Sequence, residues 1–248
     1  MNHQTITNEY YSNWLGDDNI LAQSSPGIHF IYSNERNQIP CGYPVPFDLY
    51  VLFRNDKTIV SFGDKAKDKM EQLKENTKLP QSPEMLKQIL QSLFGTNITH
   101  TIKYVFTGIP QKSRTATKLS LSDYPLYLAF FQTMHPGCNN TDWLYDYFYE
   151  MTASQLCFGI IRGGALISCT DLPVMPYLPE KVQEIGINTL ETYRGKGYAA
   201  DCSIATAQAI IQTGKSPQWS TESTNTPSRR LALKTGFSEF ANVITVTI

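Results

Sequence analysis

The run Glu184-Ile185-Gly186-Ile187-Asn188-Thr189 leads through Leu190-Glu191-Thr192-Tyr193 into Arg194-Gly195-Lys196-Gly197-Tyr198-Ala199-Ala200. A strand-like stretch ends, a loop with two glycines and two cations follows, and a helical pattern begins. Such a loop turns several backbone N–H groups toward one point at a helix N-terminus, where unpaired donors and the helix dipole favour a phosphate. Arg194 and Lys196 add positive charge. In the helix that follows, Ala200, Ile204, Ala207 and Ile211 recur on one face, and Gly214 closes it. A second run, Asn225-Thr226-Pro227-Ser228-Arg229-Arg230-Leu231-Ala232-Leu233-Lys234-Thr235-Gly236-Phe237, opens with a capping residue and a first-turn proline. It ends with Gly236 past the helix and an aromatic that begins a strand. Ala209-Ile210-Ile211-Gln212-Thr213-Gly214-Lys215-Ser216 matches a relaxed nucleotide phosphate loop, but it closes a helix instead of opening one, so it is set aside.

The elements that must hold these runs follow from periodicity and turn chemistry. In the first 112 residues the pattern predicts a short helix carrying Tyr10, Tyr11, Trp14 and Leu15 on one side, then strands at 28–32, 49–53 and 58–62. Arg54-Asn55-Asp56-Lys57 is the turn of a hairpin. Helices at 65–75 and from Ser82-Pro83 to about 94, then a strand at 101–106, complete an α+β unit. The polar, proline-marked stretch 109–114 marks a boundary, giving domains 1–112 and 113–248. Beyond it come a strand at 117–119, two helices separated by His135-Pro136-Gly137, a hairpin around Arg162-Gly163-Gly164, and a strand at 182–188. A helix at 198–213, a strand at 218–222, a helix at 227–235 and a strand at 237–247 finish the order β-α-α-β-β-β-α-β-α-β.

With that order in place, Arg194-Gly195-Lys196-Gly197-Tyr198-Ala199 resembles the acetyl-CoA diphosphate loop of the GNAT superfamily of N-acetyltransferases. Asn225, Ser228, Leu231, Lys234, Gly236 and Phe237 resemble that superfamily's Asn-to-Gly-Phe motif. The resemblance covers about residues 113–248. It implies an α+β fold with a mixed, mostly antiparallel central sheet flanked by helices, here preceded by a smaller α+β N-terminal domain. It implies acetyl-CoA as acyl donor and transfer of the acetyl group to a primary amine, a small molecule or a peptide N-terminus, by direct attack on the thioester. Ile185, Gly186, Ile187, Asn188 and Thr189 would splay from the next strand and hydrogen-bond the pantetheine arm through their backbone. The amides from Gly195 to Ala199 would hold the diphosphate, and Asn225 and Ser228 would contact the cofactor further along. Glu184 stands where many members carry the general base that takes a proton from the amine. One departure is Ala232, seven residues after the motif Asn, where many members place a tyrosine acid. Tyr198, Ser223 or Ser228 are the substitutes, or none is needed, since a thiolate is a tolerable leaving group. Without an acid, the alternative is a non-catalytic acyl-CoA-binding sensor.

Composition narrows the partners. The 248 residues are 41% hydrophobic and 17% charged, with net charge −1 evenly spread, which excludes a disordered chain and argues against a nucleic-acid or membrane-surface module. Cys41, Cys138, Cys157, Cys169 and Cys202 lack zinc spacing, so free thiols and no metal are expected. The first residues show no signal-peptide pattern and no apolar run is long enough to span a membrane, so the expected location is the cytoplasm, as a monomer or homodimer. The aromatic stretch Trp143 to Tyr149 is read first as core packing and second as an acceptor pocket, with His135 nearby; Trp219 is expected in the core.

Overall fold

The computed structural model describes residues 2–23, 25–76, 82–95, 97–109 and 112–248; Pro110 and Gln111 of the expected boundary lie outside the described residues. Helix α1 (His3–Leu15) begins where the Asn2 side chain accepts the Thr5 amide, a cap worth about 1 kcal/mol, and ends at Gly16 in the left-handed region. Strands β1 (Gly27–Tyr32), β2 (Leu49–Arg54) and β3 (Lys57–Phe62) follow, the last two as the expected hairpin. The expected helix at 65–75 is two pieces, a 3-10 turn over Asp64–Lys69 and helix α2 (Met70–Asn76), because Gly63 offers no side-chain cap to start a full α-turn. Helix α3 (Pro83–Phe94), capped by Ser82, precedes β4 (Ile98–Phe106).

Beyond residue 112 come β5 (Thr117–Lys118), α4 (Tyr124–Met134), α5 (Leu144–Ala153), β6 (Phe158–Arg162) and β7 (Ala165–Asp171). Then β8 (Val182–Glu184), β9 (Gly186–Thr189), α6 (Tyr198–Gln212), β10 (Ser216–Glu222), α7 (Thr226–Lys234) and β11 (Phe237–Val246) complete the chain. The protein is α+β with two mixed or antiparallel sheets: β1-β3-β2-β11-β4-β10-β8 and β5-β6-β7-β9.

Two features differ from the expected plan. The larger sheet crosses residue 112: β11 lies between β2 and β4, and β10 pairs with the other edge of β4. In β4, Ile102, Tyr104, Val105 and Phe106 are all buried, so both faces are covered and both edges need partners. Periodicity reports that burial without saying which strands supply it. The close approach of Gly108 to Gly236 tightens the junction. A Cβ on Gly108 would lie 2.7 Å from the Gly236 Cα, and the Thr107 and Gly108 amides both donate to the Gly236 carbonyl.

The second difference is that the single strand expected at 182–188, and with it a single central sheet, divides at Ile185. Strand β8 pairs in parallel with β10, whereas β9 pairs antiparallel with β7 in the other sheet. The Ile185 amide still donates to the Gln218 carbonyl at 3.0 Å and its side chain is buried in the core, so the divergence begins immediately after it.

Packing follows this division. Tyr10, Tyr11, Trp14 and Leu15 of α1 lie on Tyr50, Leu52, Val105 and Val243, each side chain contributing about 1.5–3 kcal/mol by burial. Leu73, Leu86 and Leu90 of α2 and α3 pack on Val51, Val60 and Ile244. Helices α4 to α7 share the core that holds Ile185, Trp219 and Phe237. Helix α6 touches both sheets and is therefore buried over more than the predicted stripe: Ala200 and Ala207 are buried, Ile204 and Ile211 only half-buried, and Cys202, Ser203, Thr206 and Ile210 join them.

Candidate active site

Where β8 and β9 part, each becomes an edge. Among the described residues, strand β9 bonds only β7 and ends the four-stranded order, while β8 ends the seven-stranded one. A backbone edge with unpaired N–H and C=O groups is a template for an extended ligand. After Thr189, a 3-10 turn over Glu191–Tyr193 brings the chain to Arg194, and the loop closes with Gly195 at φ 75° and Gly197 at φ 87°. Those values are the left-handed region that glycine tolerates, and the space around both α-carbons is open. Gly197 is the residue before α6, and among the described residues no side chain caps this helix end. The first-turn amides of α6 therefore face the cleft with their dipole.

A cavity of about 590 Å³ lies against this loop. Of the sequence-predicted residues, Ile187, Asn188 and Thr189 line it from β9, Arg194, Gly195, Gly197, Tyr198 and Ala199 from the loop and α6, and Asn225 and Ser228 from the start of α7. Glu184, Ile185, Gly186 and Lys196 do not line it. Lys196 instead donates to the Thr192 carbonyl and sits over the Tyr193 ring. The Asn225 side chain accepts the Ser228 amide and caps α7, and the Ser228 hydroxyl accepts from the Trp219 indole at 3.2 Å, so both polar side chains also hold the wall in place.

Leu231 and Lys234 of the second motif line the cavity too, and so do Tyr193 and Arg230, which the sequence reading does not single out. The signal was present: Arg230 and Lys234 are one turn apart, four residues, on the helix that Asn225 caps, which places both on one face. With Arg194 they make the anionic preference of the cleft stronger than the loop alone implied. Ala232 is fully buried in the core, so the position seven beyond Asn225 presents nothing to the cavity. The phenols of Tyr193 and Tyr198 do line it, and the Ser223 amide is bonded to the His100 carbonyl in the larger sheet.

The loop is anchored from behind by Asp201 in the first turn of α6. Its carboxylate accepts the Arg114, Thr115 and Ala116 amides and the Thr115 hydroxyl at 2.6–2.8 Å. Burial raises its pKa, but those four donors outweigh burial and leave it at about 2.

Glu184 sits at the end of β8 on the sheet face that carries α1. Its Oε1 accepts the Ser220 hydroxyl at 2.5 Å, and its amide hydrogen points to the Met175 sulfur. Burial, then the charge of Glu184, pushes the Tyr43 phenol up to about 12, and raises the Tyr10 phenol well above its ordinary value. Lys103 stands opposite Ser220 in the β4–β10 register; burial lowers its pKa and the Glu184 charge opposes that. Tyr10, Tyr43 and Lys103 all come from the first 112 residues, so the N-terminal segment furnishes part of the surroundings of this carboxylate, beside Ser220 and Met175.

A GNAT acetyltransferase family model matches residues 156–243. Among curated proteins none matches the chain in sequence. Among solved structures, an acetyltransferase from the GNAT family from Colwellia psychrerythraea aligns with TM-score 0.52 and 15% identity over 66% of this chain and 62% of its own. A GCN5-related N-acetyltransferase from Sphaerobacter thermophilus aligns with TM-score 0.50 and 12% identity over 67% of this chain and 56% of its own. The chain thus spans about three fifths of the length of these structures, and at such identities the likeness establishes the fold. The family match identifies residues 156–243 as a GNAT acetyltransferase domain.

Proposed function

We propose that the protein is an acetyl-CoA-dependent N-acetyltransferase whose acceptor is a primary amine, a small molecule or a peptide N-terminus, attacking the thioester directly. The observation that carries this is the cleft itself: a strand edge on one side, the uncapped N-terminus of α6 on another, and Arg194, Arg230 and Lys234 around them. An elongated molecule with amide groups at one end and phosphates at the other matches those donors, acceptors and charges in kind.

Bound acetyl-CoA supplies an activated acetyl group: the C–N bond forms, the C–S bond breaks with its pair on sulfur, and of two protons shed by the ammonium one ends on the thiol and one in solvent. The amides of the Gly195 to Ala199 loop hold the diphosphate, with Arg194, Arg230 and Lys234 offsetting its charge. The free edge of β9 from Ile187 to Thr189 orients the amide-bearing arm, and a backbone N–H there stabilises the carbonyl oxygen as charge develops on it. Glu184, set back from the cavity walls, takes a proton from the acceptor nitrogen through water, and Ser220 holds the carboxylate in one orientation. With Ala232 buried, Tyr198 and Ser228, which both line the cleft, are the hydroxyl-bearing candidates to meet the sulfur.

Thermal melting tests the binding half of this reading. Acetyl-CoA at a hundredfold excess over Kd stabilises by about 2.7 kcal/mol, a rise of several degrees in Tm for a chain of this size. ATP at the same concentration raising Tm more than acetyl-CoA does would contradict it.

A further inference from the structure

A second cavity, of about 140 Å³, lies between α4, α5 and the end of β7. Tyr127, Phe130, Phe131, Trp143 and Tyr147 wall it with rings, and Asp171 is the one carboxylate among its lining residues. Asn188 of β9 lines both this cavity and the larger cleft, so the two are separated by a single strand. Asp171 is brought to that strand by a missing side chain. It stands opposite Gly186 in the β7–β9 register, and a Cβ on Gly186 would lie 2.9 Å from the Asp171 Cβ and 3.3 Å from its Oδ2. Any larger residue at 186 would push the carboxylate away from the point where the sheets diverge.

The Tyr147 hydroxyl donates to Asp171 Oδ1. Burial, then the Asp171 charge, raises the Tyr147 phenol far above its ordinary value, so it remains a donor. One tyrosine bond leaves most of the lone pairs of a carboxylate unused, and the surrounding rings present faces that attract a cation. His135, with its ring centroid 4.6 Å from that of Phe131, lines the cavity too.

We propose that this cavity receives the acceptor as a compact organic ammonium ion, its nitrogen beside the Asp171 carboxylate and its apolar body among the rings of α4 and α5. The size fits: a cavity of about 150 Å³ accommodates a benzene. This rests on the acetyltransferase reading for its purpose, and on the cavity alone for its chemistry. The substrate class is therefore a primary amine on a small apolar or aromatic body, and carboxylates and neutral isosteres are discriminated against.

Calorimetric titration of the full chain with benzylamine, benzyl alcohol and phenylacetate tests it, with acetyl-CoA affinity measured in parallel. The expected result is benzylamine binding at least tenfold tighter than benzyl alcohol, with phenylacetate weaker still. Asp171→Asn, close to isosteric, should remove the preference for the amine over the alcohol and leave acetyl-CoA affinity unchanged. Trp143→Ala, at a ring 48% exposed and so dispensable for folding, should weaken amine and alcohol alike. Equal binding of amine and alcohol, or an Asp171→Asn protein that keeps the amine preference, overturns the proposal. Benzylamine bound as expected without any acetyl-CoA binding would instead sink the acetyltransferase reading and leave the ammonium site standing.

Discussion

Glu184 on β8 and Ser220 on β10 are joined by a 2.5 Å hydrogen bond across neighbouring strands, at the level where β9 turns away into the second sheet. The bond ties the carboxylate to the larger sheet while the smaller one diverges from it. Replacing the proton acceptor with an amide of the same shape, Glu184→Gln, should lower kcat/KM for an amine by about 10²–10⁴-fold with little change in Tm. Ser220→Ala, which frees the carboxylate without removing it, should cost about tenfold or less. Steady-state kinetics across pH checks both; unchanged kcat/KM in Glu184→Gln would remove this carboxylate from the mechanism.

Arg230 and Lys234 project from one face of α7 into the large cleft. Charge-assisted hydrogen bonds contribute about 1.5–3 kcal/mol, so Arg230→Gln and Lys234→Gln should each raise the KM for acetyl-CoA about tenfold or more. The loss should shrink as salt rises, because the wild-type advantage is electrostatic. Titration of acetyl-CoA at low and high ionic strength is the measurement, with the amine KM expected to stay near its starting value.

Asp201 makes stability depend on acid. Its folded pKa, about 2, lies below the ordinary carboxylate value of about 3.9, so it contributes stability above pH 4 that is lost as pH falls toward 2. Asp201→Asn should melt earlier than wild type at pH 6, and the two Tm values should converge between pH 4 and 2. Because the carboxylate ties residues 114–116 to the first turn of α6, the same variant should also loosen the loop and weaken acetyl-CoA binding.

The sheet order predicts the fate of a shortened chain. A 113–248 protein lacks β4, which pairs with both β10 and β11, and β2, which pairs with β11. Three strand pairings are lost and Trp219 and Phe237 lose Tyr104 and Phe106 from their core. Expression should give aggregated or molten material, checked by near-ultraviolet circular dichroism and gel filtration; a monodisperse, cooperatively melting product would contradict it.

Much of the site was legible in local sequence, because the relevant signals are local. Asn225 caps α7 as its position before Pro227 indicates, and Gly195 and Gly197 take the left-handed values that a tight loop before a helix demands. Strand pairing is not local. Nothing in the alternation of β4 tells that β11 and β10 take its two edges, so residues 1–112 read as a separate unit although their β1, β3, β2 and β4 share one sheet with β8, β10 and β11. The break at Ile185 is equally hidden, since the strand pattern from Val182 to Asn188 looks continuous until β7 and β10 pull its halves in different directions. Arg230 does not stand out in the sequence, and Lys234 stands out only as a motif position, because a cation on an exposed helix face is ordinary until a cavity is seen beneath it. The stretch from Trp143 to Tyr149 divides between the two roles considered for it: Leu144 and Phe148 are buried in the core, while Trp143 and Tyr147 line the smaller cavity.

The proposed activity is transfer of an acetyl group from the large cleft to an amine beside the divergence of β8 and β9. Incubation of the full chain with acetyl-CoA and a panel of primary amines, following free thiol and the mass of the amine together, measures that directly. The predicted result is thiol release that depends on the amine, matched mole for mole by N-acetylated product and abolished in Glu184→Gln. Tight acetyl-CoA binding with no amine-dependent thiol release for any member of the panel would contradict it.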